Sequence, residues 1–226
     1  MPNDDVAVFT SVLQALEDVG ILSDVVIIGG WAQHLYRRYF HDPPELSAMR
    51  TVDIDILFRR PPGIRPTGSI DESLQAAGFE REIAGDGSTK FTSREAEVEF
   101  LIPDRGRGDS GPYRIRELSI GAQSLRHLDM LTADTIEVRY GRHSVRVPDP
   151  IRFLFHKLLI SKRRTQKDKR EKDRTTAFEL AALLSGIPEW RASIAERFQE
   201  LPRPQKAVVL SFLREANSPA VAAIES

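Results

Sequence analysis

Residues 51–58 read Thr-Val-Asp-Ile-Asp-Ile-Leu-Phe, and this alternation limits what the chain around them can become. Side chains point to opposite faces of a strand in turn, so Val52, Ile54 and Ile56 share one face and Thr51, Asp53 and Asp55 the other. A strand with an apolar face needs a sheet and a covering layer. Two carboxylates on one face, if partly enclosed, repel and raise each other's pKa. A divalent cation resolves that conflict, because Mg²⁺ takes one or two carboxylates and leaves its other positions to water and phosphate oxygens. A solvated strand face would also tolerate the two acids, so the pair gains its meaning from what surrounds it.

Upstream, Val6, Phe9, Leu13, Leu16 and Val19 recur at helical spacing, and Gly20 closes that helix. Val25-Val26-Ile27-Ile28 is a β-branched run without alternation, as expected of a strand buried on both faces. Gly29-Gly30 follows it, and a helical pattern restarts at Trp31. A glycine turn between a strand and a helix exposes backbone N–H groups, an arrangement suited to phosphate. Arg50 and Thr51 directly precede the acids. Downstream, Asp71 is the expected cap of a helix ending before Gly78, and strands are expected near 79–84, 88–92 and 96–102. The last of these holds Glu97 and Glu99. A carboxylate inside Val98-Glu99-Phe100-Leu101-Ile102 needs a partner or a metal, and this enclosure favours Glu99 over Glu97 as a third functional acid.

Residues 103–112 read as a loop, and 136–140 with 143–147 as a hairpin around Gly141-Arg142. From Ile151 onward the pattern is helical, over about 150–164, 168–185, 188–200 and 204–215. The expectation is an α/β (α+β) part over residues 1–148, a mixed sheet flanked by helices, followed by a helical part over 149–226.

The combination of Gly29-Gly30, Arg50-Thr51-Val52-Asp53-Ile54-Asp55-Ile56-Leu57 and Val98-Glu99-Phe100 resembles the DNA polymerase β-like nucleotidyltransferase superfamily. That superfamily carries a glycine pair, a strand with two alternating acids and a third acid on a neighbouring strand. In the helical part, Pro148-Asp149-Pro150, Phe153, His156-Lys157-Leu158, Arg163-Arg164 and Lys172-Asp173 resemble a bacterial branch that includes toxin nucleotidyltransferases of abortive-infection systems. The stretch 31–52 between the glycines and Asp53 is longer than the spacing typical of the superfamily. The resemblance implies transfer of a nucleoside monophosphate from a nucleoside triphosphate (NTP) to an acceptor hydroxyl: an RNA end such as that of tRNA, a protein side chain or a small molecule. Asp53, Asp55 and Glu99 would be catalytic and would hold Mg²⁺ or Mn²⁺. Gly29, Gly30, Arg50, Thr51 and Lys157 would contact the nucleotide. The other reading is a catalytically retired domain that acts by binding a partner.

Composition excludes several alternatives. The chain has no cysteine, hence neither a thiolate nucleophile nor a zinc–thiolate site. The histidines form no HxxxH pair, and there is no Walker A lysine and no G-x-S-x-G elbow. The net charge of −1 offers no global attraction to nucleic acid. The basic stretch 157–174 reads first as a solvated helix face and second as an RNA contact. No apolar run reaches the roughly 18 residues that span a bilayer, and the acidic N-terminus does not read as a secretory signal, so a cytoplasmic location is expected.

Overall fold

The computed structural model describes residues 2–48, 51–59, 63–104 and 111–225. The chain divides into two compact units, one made of Met1–Tyr39 and Met49–Pro148, the other of Phe40–Ala48 and Asp149–Ser226. It is a mixed α/β protein with a run of C-terminal helices, as its sequence pattern implies. Among the described residues no helix is long and apolar enough to cross a membrane.

In the first unit, α1 (Pro2–Asp18) buries Phe9, Val12, Leu13 and Leu16 and ends at Gly20, whose φ of +76° suits a residue without a Cβ. The strand β1 (Val25–Ile27) is buried throughout. Helix α2 (Gly29–Tyr39) starts on the glycine pair. It is fixed from outside at two points: Trp31 in its first turn stacks on Phe9 with ring centroids 3.8 Å apart, and Tyr36 further along donates a buried hydrogen bond of 2.9 Å to the Pro148 carbonyl. Strand β2 (Asp53–Phe58) buries Ile54 and Ile56, but Val52 lies outside the strand and is 47% exposed, so the strand begins two residues later than the 51–58 pattern suggests.

Helix α3 (Ile70–Ala76) is capped by Ser69, whose hydroxyl accepts from the Glu72 N–H at 3.3 Å. Asp71, the expected cap, is one residue inside the helix and pairs with Arg81 instead. The strands β3 (Glu80–Ile83), β4 (Thr89–Thr92) and β5 (Glu97–Pro103) follow as expected. Beyond them come β6 (Tyr113–Ile115) and β7 (Ile120–Leu125), then a short α4 (Met130–Ala133). The hairpin β8 (Thr135–Tyr140) and β9 (His143–Pro148) closes the unit, with Gly141 at φ +58° in its turn.

The sheet order is β1-β2-β5-β4-β3. β2 and β5 run parallel, whereas β1 on β2 and β4 on β5 are antiparallel. The first half of β5 pairs with β4 and its second half with β7, which carries β6. Phe58, Phe91 and Phe100 fill the apolar side, with Phe100 5.9 Å from each of the other two rings.

The second unit holds α5 (Pro150–Ser161), α6 (Lys167–Gly186), α7 (Pro188–Gln199), α8 (Arg203–Glu215) and α9 (Ala220–Glu225). Asp149 caps α5 by accepting from the N–H groups of Ile151 and Arg152 at 2.9 and 3.0 Å, with Pro150 at the first helical position. Phe40–Ala48 joins these helices through Ser47, which hydrogen-bonds Glu179 at 2.6 Å, and through Phe40, whose ring lies edge-on to Trp190 at 5.7 Å.

Candidate active site

The site is built on the polar face of the sheet in the first unit. The parallel register pairs Asp53 with Glu97 and Asp55 with Glu99. Register partners on neighbouring strands share a face, so all four carboxylates lie in two adjacent rows. Both Asp55 and Glu99 are partly buried. Glu97 is on the same face, and register alone does not separate it from Glu99.

Lys90 on β4 extends the second row, as the register partner of Glu99 on its other side. Its ammonium bonds Glu97 Oε1 at 2.6 Å and also Glu99 Oε1. Burial pushes the Glu99 carboxyl up and the Lys90 hydrogen bond works against that shift. At Glu97 the Lys90 hydrogen bond outweighs burial and holds the carboxyl down. Sequence inspection missed Lys90. Its alternation with buried Phe91 places it on the polar face, but only the pairing of β4 with β5 shows which residue it faces.

The glycine turn meets the Asp53–Asp55 strand from the other side. The Ile28 N–H donates to the Asp55 carbonyl at 3.0 Å, which ties the turn to β2. Gly29 has φ +66°, and a Cβ built there would lie 1.9 Å from Asp55 Oδ2. A Cβ on Gly30 would lie 2.7 Å from Cβ of Thr51. The Asp55 carboxylate therefore packs directly on the first residue of α2, where the helix dipole favours negative charge. We expect Gly29→Ala to combine the roughly 1–2 kcal/mol cost of a left-handed alanine with displacement of the Asp55 side chain. The measurable outcome is a lowered melting midpoint together with weakened Mn²⁺ binding.

Thus Asp53, Asp55, Glu97, Glu99 and Lys90 share one face of the sheet, with Gly29 against Asp55 and Gly30 against Thr51. Arg50 and most of the 103–112 loop lie outside the described residues. Lys157 lies in the helical unit. Its ammonium donates to Asp173 at 2.7 Å and lies 5.3 Å from the centroid of the Phe153 ring, while Arg164 holds the other Asp173 oxygen at 3.1 Å. Of the basic residues in 157–174, Arg164, Arg170 and Arg174 pair with Asp173, Glu171 and Glu215.

Among the described residues, no three His, Asp or Glu side chains converge closely enough to hold a metal ion as a set. The Asp53–Asp55 pair nonetheless fits one, because Mg²⁺ needs only one or two carboxylates when waters and phosphate oxygens supply the rest.

A match to the nucleotidyltransferase family model spans residues 8–201, from α1 through α7. The chain belongs to the nucleotidyltransferase family. The match includes the glycine turn, the acid-bearing strands and most of the helical unit. No curated protein matches the chain. Two solved nucleotidyltransferase-type structures align with it. One is the solution structure of the antibiotic-resistance factor ANT(2'')-Ia, at 14% identity and TM-score 0.46, covering 89% of this chain and all of the other. The second is an antigenic nucleotidyltransferase-like protein from Paracoccidioides brasiliensis, at 15% identity and TM-score 0.44, covering 92% of this chain and 93% of the other.

Proposed function

We propose that this nucleotidyltransferase moves a nucleoside monophosphate from an NTP to an acceptor hydroxyl at the Asp53–Asp55 face. One observation carries the reading. Two carboxylates on one strand face lie in register with two more on β5, beside a glycine turn with no room for a side chain. In the reaction the acceptor oxygen bonds the α-phosphorus. The bond from that phosphorus to the oxygen bridging it to the β-phosphorus breaks, and pyrophosphate leaves with the electron pair. Asp53 and Asp55 would hold Mg²⁺ or Mn²⁺. When bound, such an ion supplies charge neutralisation at the phosphate oxygens. Glu99, the direct register partner of Asp55, would accept the acceptor's proton, and its partial burial makes it the stronger base of the β5 pair. Gly29 and Gly30 let backbone approach the triphosphate closely, and the N-terminus of α2 favours its negative charge. Such transfers depend chiefly on positioning and charge neutralisation.

The test is calorimetric titration of ATP, CTP, GTP and UTP with Mg²⁺ into wild type and the Asp53→Ala/Asp55→Ala variant. At least one nucleotide binds wild type, and the variant loses that binding. Equal binding of all four by both proteins removes the proposal. Incubation with labelled NTP and either total RNA or lysate protein then identifies the class of acceptor.

One observation favours the rival reading of a retired, partner-binding domain: the Lys90 ammonium pairs with both Glu97 and Glu99. Thermal melting with Mn²⁺ separates the two. An enzyme is stabilised by the ion and loses that gain in Asp53→Ala; a retired domain gains nothing.

A further inference from the structure

We infer that Lys90 is a positioning residue whose ammonium takes the place of a second cation: it clasps Glu97 and Glu99, leaving divalent-ion binding to Asp53 and Asp55. The inference rests on the reading of this face as the site of nucleotidyl transfer. It comes from the β4–β5–β2 register, which sets Lys90, Glu99 and Asp55 side by side on three successive strands. Like charges directly opposed across strands destabilise a sheet. On this face Asp53 opposes Glu97 and Asp55 opposes Glu99. Lys90 relieves the β5 side of both rows at once, because one ammonium has three donors and here reaches a carboxylate oxygen of each glutamate.

The three side chains are about equally sheltered, at 30% exposure for Lys90, 34% for Glu97 and 26% for Glu99. The clasp is therefore neither a loose surface contact nor sealed from the site. Hydrogen bonds donated to Glu97 and then Glu99 push the Lys90 ammonium far above its ordinary range, so it stays charged. A second ion beside the β2 acids would need Glu99 as a free ligand. Here that acid is already bonded to a fixed charge on a neighbouring strand.

Counting bound Mn²⁺ tests this without any reference to catalysis. Free Mn²⁺ is measured by electron paramagnetic resonance during titration of the full chain. Wild type and Lys90→Arg are expected to bind about one ion per chain, on the β2 acids. Glu99→Gln leaves that number unchanged, since Lys90 rather than an ion holds Glu99. Lys90→Met frees Glu97 and Glu99 and raises the number to about two. In Asp53→Asn/Asp55→Asn/Lys90→Met the gained ion remains alone.

The inference is overturned if wild type binds two ions and Glu99→Gln loses one. It is also overturned if Lys90→Met melts like wild type yet gains no ion. Should Lys90→Met fail to fold, the Glu99→Gln count decides by itself. Failure of the underlying metal reading looks different: Asp53→Asn/Asp55→Asn, with Lys90 intact, keeps the wild-type ion.

Discussion

Asp55→Asn is expected to lower the rate of the proposed nucleotidyl transfer by about 10³-fold while leaving the melting midpoint near that of wild type. Asparagine keeps the shape that packs on Gly29 and the hydrogen-bonding capacity of one oxygen, so the turn between β1 and α2 has no reason to move. What it removes is the charge. Fixed charges aimed at a transition state are worth on the order of 10²–10³ in rate each, and a carboxylate that also anchors an ion belongs at the upper end. The measurement is pyrophosphate release at saturating NTP with the acceptor found by labelling, together with a thermal melt of the same preparation. A variant that keeps wild-type turnover would move the chemistry away from this strand. Asp53→Asn is expected to have a comparable effect on rate, and because Asp53 is the more exposed acid its replacement is expected to perturb stability still less.

The largest stability effect belongs to the helical unit. Asp173 is 5% exposed and joins Lys157, itself only 14% exposed, to Arg164. Asp173→Ala strands the Lys157 ammonium against apolar neighbours. Removing one partner of a buried pair costs about 3–5 kcal/mol. For a protein of this size each kcal/mol shifts the midpoint by about 2–4 °C, giving a loss of roughly 6–20 °C. Replacing both partners, as Lys157→Met/Asp173→Leu, restores most of it, because an apolar pair of similar volume carries no desolvation penalty. Circular dichroism melts of the two single variants and the double variant check this. The outcome against it is a pair of small, additive losses. Nucleotide titration of the repaired variant then tests whether Lys157 also contacts phosphate.

Much of this architecture was legible because the patterns are local. The β2 acids stood out through two-residue alternation, β1 through its unbroken β-branched run, and the C-terminal helices through their spacing after Pro148-Asp149-Pro150. What stayed hidden depends on which distant segments meet. Lys90 is unremarkable in Thr89-Lys90-Phe91-Thr92 until β4 pairs with β5 and makes it the neighbour of Glu99. β7 contains a glycine and a weak pattern, and its pairing with the far half of β5 defines it. The α3 cap was misplaced because Ser69 and Asp71 are both good capping residues, and the choice between them turned on Arg81, ten residues beyond Asp71. Likewise, nothing in Phe40–Ala48 announces its membership of the helical unit; Ser47 and Phe40 acquire it through Glu179 and Trp190.

The placement of β5 has a kinetic consequence. It is flanked along one side by β2 and along the other by β4 and then β7, while β2 is enclosed by β1 and β5. Interior strands of this kind surrender their amide hydrogens to deuterium only through the rarest and largest openings, whereas β3 at the margin frays first. The Glu97–Glu99 row is thus mounted on an interior strand, whose amides are expected to exchange more slowly than those of β3.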